Sequence, residues 1–145
     1  MESRETRAPV MRPVSAGTVC VVMACSDPRE ADEVSRQLAQ VDSACLVTYF
    51  RQQDLMLNSP AGKVAMVILA TEDSPAALRG MLSWLRRRLP HCPITVVGDA
   101  GAGEYEQVAR EGGAIFVVRP VFQEQWAAIL SAVTQGEPVR AGQPA

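Results

Sequence analysis

The sequence predicts an α/β domain: a five-stranded parallel, doubly wound sheet with strand order 2-1-3-4-5 and helices on both faces. Three observations carry this. Five short runs of branched and apolar residues recur between residues 18 and 118. The segments between and after them return their apolar residues at helical spacing. Two of those segments also open on a capping residue followed by proline, Asp27-Pro28 and Ser74-Pro75. Continuous apolar runs mark strands covered on both faces. Strand-then-helix repeats with right-handed crossovers give such a sheet its order.

Taken in order, "TVCVVMA" (18–24) is the first strand. Asp27 then suits an N-cap, Pro28 the first helical position, and Glu30 the carboxylate place of a capping box. Ala31, Val34, Leu38 and Val41 follow at helical spacing. "ACLVTYF" (44–50) is the second strand, and "RQQDLMLNSPAG" after it holds at most a short helix. "VAMVILA" (64–70) is the third and most apolar strand. Ser74-Pro75 opens a helix with Leu78, Met81, Leu82, Leu85 and Leu89 on one stripe and Trp84 at its rim. "PITVVG" (93–98) is the fourth strand; "GEYEQVAREGG" is a short helix stopped by Gly112 and Gly113. "AIFVV" (114–118) is the fifth strand, and a last helix from Gln123 turns Trp126, Leu130 and Val133 inward. Residues 1–17 read as a flexible arm, 18–135 as the folded domain, and 136–145 as a linker or disordered tail.

A chain of 145 residues, 48% apolar, can bury the core of one domain. No apolar run approaches the ~18 residues of a membrane span, and the N-terminus lacks the apolar segment of a signal peptide. A formal charge of -2 exerts no pull on nucleic acid or acidic membranes. A cytoplasmic protein is expected. The four cysteines, Cys20, Cys25, Cys45 and Cys92, have no metal-site spacing, and His91 is the sole histidine. Neither a metal nor another cofactor is expected. "GDAGAGE" (98–104) lacks the lysine of a phosphate-binding loop. The arginines of "WLRRRLPH" suit the C-terminal end of a helix dipole.

The stretch "EGGAIFVVRPVFQEQW" resembles the part of bacterial two-component receiver domains that carries a glycine turn, a strand with an aromatic, a Lys-Pro pair and the last helix. Phe116 stands at the aromatic, switch-like position and Arg119-Pro120 at the Lys-Pro position. "SDP" after the first strand and "SP" after the third also fall where receivers begin helices. The likeness spans roughly residues 18–135 and implies a flavodoxin-like response-regulator fold.

By that resemblance the functional edge lies at the carboxyl ends of the strands. Receivers phosphorylate an aspartate ending the third strand, with magnesium held by acids after the first. Here those positions are Ala70 and the pair Cys25 and Ser26. The hydroxyl residue ending the fourth strand becomes Gly98, and the fifth-strand lysine becomes Arg119. An alanine methyl cannot form an acyl phosphate, and magnesium needs oxygen ligands, usually including carboxylates. Asp27 remains for capping, and Glu72 and Asp73 lie past the strand end. With no phosphoryl group to contact, Arg119 is expected to pair with Asp99, Asp73 or Asp27, or to bind an anionic ligand or partner.

The expectation is therefore a pseudo-receiver, not an enzyme and without catalytic or metal-binding residues, serving two-component signal transduction or transcription regulation through protein–protein contact. The resemblance places a protein partner or homodimer on the face of the fourth helix, fifth strand and fifth helix, drawing on Tyr105, Val108, Val121, Phe122 and Ile129. The alternative is a small-ligand or thiol-redox sensor using Cys25, since a helix N-terminus lowers thiol pKa.

Overall fold

Alternation along the strands sorts the apolar residues into two cores, one on each face of a sheet. In the computed structural model, residues 10–11, 19–40, 44–57, 64–71 and 74–134 are described. Six strands, β1 (Val10–Met11), β2 (Val19–Cys25), β3 (Ala44–Tyr49), β4 (Met66–Ala70), β5 (Ile94–Gly98) and β6 (Ile115–Val118), lie in the order β1-β3-β2-β4-β5-β6. From β2 to β6 the pairings are all parallel, so these five strands have the expected 2-1-3-4-5 order. β1 is a correction to the flexible arm: Val10 and Met11 pair antiparallel with Thr48 and Val47 on the edge strand β3. Two residues carry no periodicity, and the free edge of a distant strand captures them. The expected tail, 136–145, lies outside the described residues.

On one face Val22, Ala24, Val67, Leu69, Ile94, Val96 and Phe116 pack under three helices. These are α2 (Gln52–Leu57), α3 (Pro75–Arg88) and α4 (Gly103–Glu111). On the other face Val21, Met23, Cys25, Met66, Ile68, Ala70 and Val97 pack under α1 (Pro28–Ala39) and α5 (Gln123–Thr134). The period of two in each strand produces this division directly.

Both cap-and-proline signals behave as chemistry requires. Asp27 accepts from Arg29 N at 3.0 Å with Pro28 in the first turn, and Ser74 Oγ accepts from Ala77 N at 3.1 Å before Pro75. The α3 stripe of Leu78, Met81, Leu82 and Leu85 is buried, with Trp84 half-buried beside it. The turn from α4 to β6 uses Gly113 at φ 81°, where a side chain would be strained. Arg86 fixes that turn, donating to the carbonyls of Gly112 (3.2 Å), Gly113 (2.8 Å) and Cys92 (3.2 Å). The arginine cluster on α3 thus contributes a strap between elements as well as helix-end charge.

Candidate functional site at the carboxyl edge of the sheet

The strand register brings the residues of the edge together. Cys25, the last residue of β2, pairs with Ala70, the last of β4. Both side chains turn toward α1 and α5, and both are buried. The Cys25 thiol donates to the Asp27 carbonyl (3.3 Å) and to Glu30 Oε1 (3.7 Å). Burial pushes this thiol up to about 11; a backbone hydrogen bond with Asp27 pulls the other way, and the Glu30 carboxylate adds to the rise. The expectation of an activated thiol at a helix N-terminus is therefore reversed, because desolvation of the thiolate outweighs the dipole. Ser26 is exposed, and Asp27 is occupied as the α1 cap.

Gly98 ends β5, and its place is explained by Phe116. A Cβ built on Gly98 would lie 2.7 Å from two atoms of the Phe116 ring and 3.5 Å from Tyr105. The ring is buried, and Tyr105 closes over it with its hydroxyl donating to the Thr71 carbonyl at 3.1 Å. Removing the side chain at position 98 is what admits the aromatic. The Arg119–Pro120 peptide is cis.

Arg119 stands over this edge between two carboxylates. Its Nε donates to Glu30 Oε2 at 2.6 Å and its Nη1 to Asp99 Oδ1 at 3.1 Å. Burial lowers its proton affinity, but the two ion pairs outweigh that and raise it overall. Asp99 was among the expected partners. Glu30 was not: it leaves the capping box unmade and reaches across to Arg119, the residue after β6. Asp73 and Glu72 lie outside the described residues.

Two clefts open on either side of Arg119 and Asp99. One, ≈ 640 Å³, lies toward α4 and is lined by Thr71, Gly98, Ala102 and Tyr105. The other, ≈ 550 Å³, lies toward α1 and α5, with Glu30, Gln37, Val121, Phe122 and Trp126 in its walls. Among the described residues no three His, Cys, Asp or Glu side chains group as metal ligands. The donor set does not fit magnesium: a buried thiol and an alanine stand where oxygen ligands are needed, and Glu30 is committed to Arg119. His91 is exposed on the turn before β5, at the other end of the sheet.

The expected partner face needs correction. Val108 is buried in the α2–α4 core and Ile129 in the α1–α5 core, so neither is offered to a partner. Ile129 falls beside Leu130 and Trp126 because both α1 and the sheet crowd that flank of α5. Tyr105 and Val121 are half-buried. Phe122 is 57% exposed, and Val118, which the sequence did not single out, is 40% exposed. Val118 is the last residue of β6, an edge strand; it shares a face with the buried Phe116 two places before it, so alternation gave no signal of its exposure.

No protein-family model matches the chain, and no curated protein matches it by sequence. Solved structures do match. The isolated receiver domain of RcsB from Salmonella enterica serovar Typhimurium superposes with a TM-score of 0.71 at 15% identity, covering 85% of this chain and 93% of that one. The fold is that of a receiver domain. The chemotaxis response regulator CheY4 of Vibrio cholerae gives 0.67 at 15% identity, over 80% of this chain and 98% of that one. A LuxR family DNA-binding response regulator from Silicibacter pomeroyi gives 0.64 at 16%, over 82% and 92%. A longer RcsB structure from Salmonella typhimurium, described for its DNA interaction, matches at 0.68 and 14% identity over 84% of this chain; the chain spans 61% of it. In the receiver fold, the edge built from Cys25, Ala70, Gly98 and Arg119 is the edge at which the resemblance places phosphoryl chemistry. No helix among the described residues is long and apolar enough to cross a membrane.

Proposed function

We propose that this domain is a pseudo-receiver: a protein-interaction module of bacterial signal transduction that takes no phosphoryl group. The observation that carries the reading is the closure of the edge. Ala70 puts a buried methyl at the acceptor position, and the Arg119 guanidinium at the same edge of the sheet is already held by Glu30 and Asp99. A nucleophile, a metal cradle and a free cation are what phosphoryl transfer would need. The same closure fixes one arrangement of the edge, which suits a surface already in its binding form.

The partner surface in this reading is the β6–α5 corner, where Val118 and Phe122 are exposed and Val121 is half-buried, with Tyr105 at its α4 side. A homodimer or a protein partner bound there would bury them.

Acetyl phosphate with magnesium is expected to leave the intact mass of the protein unchanged, as is the same treatment of Ala70→Asp. An acid-labile addition of one phosphoryl group to the natural chain would overturn the reading.

A further inference from the structure

The cleft between α1 and α5 has two unmet polar atoms in its walls. Trp126 is 0% exposed, and its indole Nε1 has no hydrogen-bond partner among the described residues. Gln37, one wall away on α1, gives its amide nitrogen to Glu33 Oε2 at 2.9 Å, and its Oε1 is likewise buried without a partner. Both residues line the same ≈ 550 Å³ cleft. A donor and an acceptor kept from water and left unmade are unfavourable, so anything that supplies both partners is bound with that penalty removed.

We propose that this cleft is a binding site for a small, flat, uncharged heterocycle with an amide- or amidine-type edge, of the nucleobase or nucleoside class. Its ring acceptor takes the Trp126 N–H, and its adjacent N–H donates to Gln37 Oε1. Val34, Val121 and Phe122 supply an apolar wall for the ring. The charge of the walls selects against anions: Asp27, Glu30, Glu33 and Asp99 stand against Arg29 and Arg119, and Arg119 is committed to two of those acids. Entry requires the Gln37 side chain to turn its Oε1 toward the ligand, which gives up only its surface hydrogen bond to Glu33. The inference stands apart from the loss of phosphoryl chemistry and survives or fails independently of it.

The test uses the full chain labelled with ¹⁵N-tryptophan. It holds two tryptophans, so Trp126 and Trp84 give two indole signals, and Trp84 on α3 is the internal control. Adenosine is expected to shift the Trp126 signal saturably and leave Trp84 in place. Purine riboside, which lacks the exocyclic amine, and the Gln37→Leu variant are each expected to weaken binding roughly tenfold. Adenosine 5′-monophosphate is expected to bind more weakly than adenosine. Should adenosine, cytidine and nicotinamide all leave the Trp126 signal unmoved at millimolar concentration, the proposal is wrong. It is equally wrong if the only partner detected for that N–H is bound water, or if Gln37→Leu binds adenosine unchanged. Gln37 is on a partly exposed helix face, so this variant keeps the test open even where Trp126→Phe fails to fold.

Discussion

The two faces of the sheet are built to different standards of polar closure. On the α2–α4 face the polar groups that reach inward are tied down. Arg86 takes three carbonyls, Tyr105 takes the Thr71 carbonyl, and Gln52 Nε2 donates to Thr71 Oγ1 at 2.8 Å. On the α1–α5 face lie all three buried side-chain atoms that have no partner among the described residues: Ser35 Oγ, Gln37 Oε1 and Trp126 Nε1. Both faces bury comparable apolar side chains, so hydrophobic packing does not separate them. Polar closure is concentrated in the first face, and unmet hydrogen-bonding capacity in the second.

The largest expected effect comes from cutting the strap. Arg86→Ala frees three carbonyls at once, and hydrogen bonds to a charged group contribute ~1.5–3 kcal/mol each when they do not overlap. A loss of about 3 kcal/mol in urea unfolding is expected. A loss below 1 kcal/mol would mean that water replaces the guanidinium freely and that the α2–α4 face is not the better closed one.

The thiols then ask whether the faces differ in dryness. Each core holds one cysteine raised to about 11, Cys25 under α1 and Cys92 beside α3, and in both burial is the leading cause. For Cys92 the Arg86 charge works against the rise. A raised thiol favours the protonated fold. Its contribution is complete below the ordinary value of 9.0 and is lost as pH climbs through about 11. Each thiol should therefore cost on the order of 2–3 kcal/mol of stability across that alkaline window. Cys25→Ala and Cys92→Ala should each flatten part of the slope. If only one does, one face admits water and the other does not.

Gly98→Thr is expected to destabilise by about 1–3 kcal/mol, the usual range for overpacking, with the Phe116 ring driven from its pocket. The displaced ring resonances would report it directly. The smallest effect is expected on the open face. Ser35→Ala removes a hydroxyl that has no partner and adds helix propensity, so stability should rise by about 0.5–1 kcal/mol. A fall would show that Ser35 Oγ is bridged by water and would narrow the contrast between faces.

The scaffold was readable because its signals are local. Asp27-Pro28 and Ser74-Pro75 start helices through contacts within three residues, and the unbroken apolar runs of β2 and β4 need no knowledge of neighbours. What escaped was set at long range. Glu30 lies 89 residues from Arg119, and its local pattern argued for a capping box that the ion pair overrode. Cys25 was placed correctly before a helix, but the sign of its shift depended on how completely α1, α5 and β4 enclose it. Val108 and Ile129 sit on helix flanks whose cover comes from other elements. The strand at Val10 and Met11 exists only because β3 offers a free edge.

The Phe116 ring lying where a Gly98 side chain would be bears on ancestry. If a functioning receiver preceded this domain, the way back is not a series of acceptable single steps. A hydroxyl returned to position 98 collides with the aromatic before it has any phosphoryl group to serve. A carboxylate returned to position 70 finds a thiol beside it and no metal. Each reversion is harmful until the others are present, so drift across this edge runs in one direction, as a ratchet does.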